Sequence, residues 1–268
     1  MFKKYLVVAS KKDEAGINIT TALSQFKSNK FEFYIVDEEI LNQENLDLDK
    51  INKNDFIIFA SRHSSEKQQK TLSVHAPGNF KKALMGRKPE ELSSASAIFQ
   101  KQLFINLDKF AKEYHLEKKY NVTLEVTHHG PLIERPCVFI EIGSTLNEWK
   151  DKKAGFVIAK TILETIKNFR ENPYNEIVIG IGGPHYCPNF NKIQLKSNYA
   201  LAHIIPGYVL PLTDKMVEEC IKKTIEDVDL AIIDWKGIPN AEERKRILEI
   251  FDKHYLRYRK TSEIKKEL

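Results

Sequence analysis

A three-layer α/β/α architecture around a mainly parallel sheet is predicted by two observations. Short apolar runs of strand length alternate with stretches whose apolar residues recur at helical spacing. Polar and glycine clusters follow directly on the apolar runs, at Ser61-Arg62-His63, His128-His129-Gly130, Glu141 to Ser144, Gly182 to Tyr186 and Asp234 to Gly237. Parallel sheets bind ligands outside the carboxyl ends of their strands, so these clusters would share one edge. A chain of 268 residues is long enough for one large α/β domain or two modest ones, and one domain spanning 1–268 is expected.

Taken in order, Tyr5 to Ser10 reads as a strand, Ala15 to Phe26 as a helix, and Phe31 to Val36 as a second strand. The polar stretch Asn42 to Asn54 reads as a linker or surface loop, and Asp55 to Ala60 as a third strand. Pro77-Gly78 marks a turn, which puts His75 at a strand-to-turn junction. From Ser94 to Tyr114, Leu103, Leu107, Phe110 and Tyr114 lie at the spacing of a long amphipathic helix.

Two central strands come next. In the run Val122 to His129, alternation puts Val122, Leu124, Val126 and His128 on one face and Thr123, Glu125, Thr127 and His129 on the other. Val138 to Ile142 is apolar as in a strand buried on both faces, yet carries Glu141, a carboxylate that needs a partner. Thr145-Leu146-Asn147-Glu148 has the form of a capping box opening a helix through Phe156, Ile162 and Ile166. Glu176 to Ile181 is a further strand, Tyr199 to Ile205 an apolar segment carrying His203, and Met216 to Ile225 a helix. Val228 to Ile233 is the last strand, and Ala241 to Tyr258 a basic terminal helix.

Composition narrows the class. No window approaches the length of a membrane span and no cleavable leader is legible, so a cytoplasmic protein is expected. Cys137, Cys187 and Cys220 are odd in number and widely spaced, which reads as reduced thiols. The net charge of +5 does not by itself identify a polyanionic partner. The terminal helix, with Arg244, Lys245, Arg246, Lys253 and Arg257 among aromatic residues, reads on its own as a solvated amphipathic surface.

Titratable groups at the ends of apolar runs are where chemistry is expected. His63, His75, His128, His129, Glu141, His185 and His203 supply ligand types for a zinc site, but no spacing fixes which of them serve. His128 and His129 reach one metal only if the chain turns between them. His115 and His254 read as surface residues. Gly182-Gly183 allows close backbone approach without matching a dinucleotide or P-loop fingerprint, and no Gly-x-Ser-x-Gly elbow is present.

The blocks Thr71 to Asn79, Glu125 to Pro131, Phe139 to Ser144, Gly182 to Tyr186 and Asp234 to Gly237, in this order, resemble the archaeal and plant type of D-aminoacyl-tRNA deacylase. Pro184 and Cys187 depart from that pattern. The resemblance implies a fold related to phosphorylases and peptidyl-tRNA hydrolases, hydrolysis of the ester joining a D-amino acid to tRNA, and dependence on zinc. With tRNA as substrate, the basic terminal helix reads instead as a phosphate-binding surface.

The expected mechanism has a water activated by zinc or by a histidine base. His75, His129 and Glu141 are the expected catalytic residues, and His128, His129, His185 and His203 the expected metal ligands. Asn79, Ser144, Gly182, Gly183, Tyr186 and Lys236 are expected to bind substrate, with backbone N–H groups at Gly182-Gly183 or Ser144 holding the oxyanion. A monomer is expected. The competing readings are a metal-dependent peptidase or nucleoside phosphorylase, and a non-catalytic tRNA-binding protein.

Overall fold

The computed structural model describes residues 2–81, 90–171 and 173–264. Strand β1 (Tyr5–Ser10) is buried throughout, and helix α1 (Glu14–Ser24) follows it, its first turn capped by the Asp13 carboxylate, which accepts from the Gly16 amide at 2.9 Å. β2 (Phe31–Val36) leads into a short helix, α2 (Leu48–Asn52). The expected linker is therefore structured, with Leu46 and Ile51 buried against the sheet. β3 (Phe56–Ser64) runs past its expected end at Ala60 and carries His63 within the strand.

β4 (Thr71–His75) ends at a small antiparallel pair, β5 (Gly78–Asn79) with β6 (Glu91–Leu92). Helix α3 (Ala97–Glu113) buries Leu103, Leu107 and Phe110 as its spacing predicts. β7 (Asn121–Leu124) is shorter than its apolar run, and β8 (Cys137–Ser144) is buried along its whole length. The helix expected from Thr145 is broken: α4 (Leu146–Trp149) ends at once, and Asp151 caps a separate long helix, α5 (Lys152–Asn168). Thr145 and Glu148 bond to each other at 2.6 Å through their side chains, which is why the expected capping box does not close.

β9 (Glu176–Ile181), α6 (Pro188–Lys196), β10 (Tyr199–Ile205), α7 (Asp214–Lys223) and β11 (Leu230–Ile233) follow. The terminal helix α8 (Ala241–Lys253) is shorter than expected, and Arg257–Lys260 form an edge strand, β12.

The α/β class and the mainly parallel pairing agree with the sequence, but the strands form two sheets plus the small pair. The first has the order β2-β1-β3-β8-β4-β7 and the second β10-β9-β11-β12. β4 runs antiparallel to β8, with β7 parallel to β4. One face of the first sheet presents Tyr5, Val7, Ile58 and Ile140 to α1, α3 and α5. The opposite face presents Leu6, Val8, Phe59 and Phe139 to the 37–52 and 131–136 segments, with no long helix on it among the described residues. The second sheet is covered by α3 and α6 on one face and by α7 and α8 on the other, so the three-layer arrangement is found there. No helix among the described residues is long and apolar enough to cross a membrane.

Candidate active site

The site lies where the face of the first sheet free of long helices meets the loop that leaves β9. Alternation along β3 and β8 puts Ser61, His63 and Glu141 on that face. The register Ser61 to Glu141, and Ser73 to Glu141 across the antiparallel pair, adds Ser73 and His75 of β4. Because β4 runs the other way, His75 lies on the sheet face beside Phe139 rather than at the carboxyl edge of the parallel strands.

Beyond β7 the chain turns at His129, whose φ is +42°. That turn settles the geometric obstacle in the sequence, since adjacent residues of a regular strand would point apart. The His128 and His129 rings instead lie 4.2 and 4.8 Å from the His75 ring, centroid to centroid. On the other side, Gly182 and Gly183 adopt φ of +92° and +85°, a region that favours glycine. They swing Pro184 to Tyr186 across to the first sheet, where the Val126 amide bonds His185 O at 3.0 Å and Thr123 Oγ1 bonds Tyr186 O at 2.7 Å.

Glu125 is the hub of the cluster. Its Oε2 lies 3.0 Å from His185 Nε2 and 3.4 Å from His128 Nε2, and its Oε1 lies 3.1 Å from His63 Nδ1. Glu141 Oε2 lies 3.6 Å from His75 Nε2 and 3.7 Å from His63 Nδ1. His63 Nε2 meets the Tyr186 hydroxyl at 3.0 Å.

These contacts set the charges. Burial alone would push both carboxyls up, but the histidines around them outweigh it, holding Glu125 well below the usual carboxylate range and Glu141 down at about 2. Burial alone would depress His63, yet Glu125 and Glu141 raise it to about 11, so it is an imidazolium at neutral pH. His128 and His129 go the other way, His129 to about 4, through burial and then the neighbouring His75.

Three imidazoles have their tautomer fixed by the backbone. The Nδ1 atoms of His75, His128 and His129 lie 3.3, 2.8 and 2.7 Å from the carbonyls of Ala76, Val126 and Gly130. A carbonyl only accepts, so each Nδ1 carries the proton and each Nε2 keeps its lone pair for a ligand.

The donor set suits a metal ion. Ligand atoms of His75, His128 and His129 lie within 4.8 Å of one another, as do those of His63, Glu125 and His185. His75 Nε2, Thr71 Oγ1 and Ser73 Oγ are buried without a hydrogen-bond partner, and such atoms call for a ligand. Three imidazoles tied to backbone carbonyls through Nδ1, beside two ionised carboxylates, are the chemistry that zinc takes. The cluster opens into a cleft of about 1360 Å³ whose walls include His63, His128, His129, Glu141, His185 and Tyr186.

Of the residues singled out from sequence, the fold brings His75, His128, His129, Glu141, His185 and Tyr186 together. His203 lies apart, buried between Thr127 Oγ1 at 3.2 Å and the Lys223 carbonyl at 3.4 Å. The Gly182 amide is already bonded to Ile205 O at 2.8 Å, and Gly183 is packed against Asp234, Gly207 and Gly237. Asn79 is buried in the β5–β6 pair, Ser144 is buried at the end of β8, and Lys236 is exposed beyond β11. Sequence reasoning misses Glu125 and reaches His63 only as one of several possible zinc ligands. The signal for Glu125 was its place on the polar side of an apolar strand, and for His63 a strand that continues through Ser61-Arg62.

A model of the family described as D-aminoacyl-tRNA deacylase matches residues 51–258, a range that holds every member of the cluster. The chain belongs to that family. Proteins named D-aminoacyl-tRNA deacylase include one from Methanocaldococcus jannaschii, 35% identical over 93% of this chain and 96% of its own length. Another, from Thermococcus kodakarensis, is 33% identical over 87% of this chain and 91% of its own. A crystal structure described as a conserved protein of unknown function superposes with a TM-score of 0.89 at 31% identity, covering 98% of this chain and 97% of that one.

Proposed function

We propose that this chain hydrolyses the ester bond of D-aminoacyl-tRNA, releasing a free D-amino acid and tRNA. The observation that carries the reading is the convergence of His75, His128 and His129 beside the buried carboxylates Glu125 and Glu141, in a cleft wide enough for an aminoacyl nucleoside, on a chain of the deacylase family. Zinc would be held by His75, His128 and His129 and, when bound, would lower the pKa of a coordinated water and polarise the ester carbonyl. His63, Glu125 and His185 adjoin it.

The chain's own groups do the rest. Glu141 stays ionised and accepts a hydrogen bond from the attacking water, aligning it with the carbonyl. The His63 imidazolium donates to the Tyr186 oxygen through Nε2–H, which leaves the phenolic proton free to point into the cleft. That hydroxyl, with the His63 charge behind it, stabilises the tetrahedral oxyanion. Glu125 holds His63 and His185 in place.

In this reading the enzyme works as a monomer in the cytoplasm, where its tRNA substrates are. A fold kinship with phosphorylases and peptidyl-tRNA hydrolases is part of the same proposal, supported by the parallel pairing of both sheets. The test is release of amino acid from matched D- and L-tyrosyl-tRNA, before and after chelation and zinc restoration. Loss of the D-ester alone, abolished by chelation and restored by zinc, is expected. Hydrolysis that survives complete chelation would remove the zinc from the proposal, and no hydrolysis by folded, zinc-loaded protein would remove the deacylase activity.

A further inference from the structure

The cations around the cleft differ in what they face. On the β1–β3 side Lys11 pairs with Asp37 at 2.6 Å, Lys12 with Glu38, Arg62 with Glu39 at 3.0 Å and Lys70 with Glu148 at 3.2 Å. The basic face of α8 is also neutralised: Lys245 pairs with Glu249 and Arg246 with Glu243, each at 3.5 Å, and Lys253 with Asp214 at 2.7 Å. These pairings lower the free positive charge that this face of the terminal helix offers a phosphate. Lys192 and Lys196 on α6 and Lys236 beyond β11 are exposed, and among the described residues none has a carboxylate within ion-pair distance.

Lys236 leaves the same sheet edge as the site, and Lys192 and Lys196 lie along α6, whose first turn lines the cleft. β9, β11 and β12 are parallel, with Ile181, Ile233 and Lys260 in register, so the His185 loop, Lys236 and Lys260 all leave the same edge of the second sheet. Lys260 Nζ and the Arg244 guanidinium lie 4.7 and 5.3 Å from the Trp235 ring centroid, which fixes two more cations there. Lys260 has only a loose contact, 3.8 Å, with Glu263. Pro188 and Asn191, in the first turn of α6, line the cleft. Asn189, Lys192 and Lys196 follow at i, i+3 and i+7 on one helix stripe and line an adjoining surface pocket of about 240 Å³ with Thr261. Asn189 is tied by 3.1 Å bonds to both oxygens of Asp234, the buried carboxylate beneath this rim.

We propose that this rim seats the RNA backbone: the sugar-phosphate chain of the substrate leaves the ester cleft over α6, its phosphates facing Lys192, Lys196, Lys236 and Lys260. The inference rests on the aminoacyl-tRNA reading above, and adds the path that the nucleic acid takes. Phosphate contacts of this kind give affinity that is independent of sequence and falls with salt.

The test compares wild type with the exposed double variant Lys192→Ala/Lys196→Ala, and with Lys67→Ala at the opposite rim of the cleft, over a series of salt concentrations. The substrates are D-tyrosyl-tRNA and D-tyrosyl-adenosine, which keeps the ester and lacks the RNA backbone. In the double variant KM for the tRNA should rise about tenfold at low salt, and the log–log salt slope should shrink by roughly 1.5. Its kcat and its hydrolysis of D-tyrosyl-adenosine should match wild type. An unchanged KM and slope in the double variant, with wild type active on the tRNA, would overturn the path and leave the function standing. So would a loss confined to Lys67→Ala. Wild type inactive on both esters would overturn the function, and this inference with it.

Discussion

Glu125 Oε2 lies 3.0 Å from His185 Nε2, and this contact joins the two sheets, since Glu125 follows β7 of the first and His185 follows β9 of the second. The same carboxylate also bonds His63 through its other oxygen, so one buried side chain sets the relative position of two imidazoles. Replacing it should therefore damage the site more than the fold.

Glu125→Gln keeps the shape of the side chain but loses its charge and puts an amide N–H₂ where an oxygen now accepts. We expect kcat/KM on D-tyrosyl-tRNA to fall about 100-fold, the usual scale for a group that orients ligands. Thermal unfolding should show a stability loss of only about 1–3 kcal/mol. Activity within twofold of wild type would show that the imidazoles are held by other contacts.

How much of this was legible in the sequence can be argued residue by residue. Leu103, Leu107 and Phe110 announced α3 because one face of that helix is buried and its period survives in the letters. Glu141 announced itself as a charge in an apolar run. The convergence of the histidines did not, because it depends on the left-handed turn at His129 and on β4 running antiparallel to β8, both tertiary outcomes. Helix α6 was hidden by its polar composition, although Pro188 at its first turn is a start signal. β12 was hidden because Arg257 to Lys260 continue the basic pattern of α8, and an edge strand need not show a buried face.

Asp151 gives a pH-dependent prediction well away from the histidines. It caps α5 through the Lys153 and Ala154 amides at 2.9 and 3.3 Å, and binds Lys119 at 2.7 Å and the Tyr120 hydroxyl at 2.9 Å. Burial pushes its carboxyl up, but these partners outweigh it and hold it below its ordinary value of 3.8. A depressed carboxylate stabilises the fold above the unfolded value, and that contribution is lost as pH falls through the folded one. Asp151→Ala should therefore cost about 1–2 kcal/mol at neutral pH. The gap to wild type should close as pH drops below 3.8. Denaturant titrations at a series of pH values check this; a gap that widens in acid would contradict the assignment.

Lys101 tests the packing of α3 against the second sheet. Its buried ammonium donates to the carbonyls of Gln194, Ser197 and Tyr199 at 2.7, 2.8 and 2.8 Å, satisfying the C-terminal end of α6 and the start of β10. Lys101→Met fills similar volume but leaves those carbonyls short of a donor. The expected loss is about 3 kcal/mol, or roughly 6–12 °C in Tm for a chain of this size. A change below about 1 kcal/mol would show that the carbonyls find water or other donors.

His203 and His128 separate the sequence-based ligand set from the one the geometry supports. Both histidines are held far from protonation, His203 by burial and half-buried His128 by desolvation together with His75. Depressed basicity therefore does not tell a ligand from a structural histidine; position does. His128 shares one donor group with His75 and His129, whereas both ring nitrogens of His203 face Thr127 and the Lys223 carbonyl. His75→Ala and His128→Ala should each lower bound zinc, measured by metal analysis after loading and gel filtration, and weaken zinc affinity by at least about tenfold. His203→Ala should bind as much zinc as wild type while losing about 1–3 kcal/mol of stability from its broken hydrogen bonds. Zinc lost from His203→Ala but kept by His128→Ala would reverse the assignment, and would require the chain around Thr127 to rearrange when the metal enters.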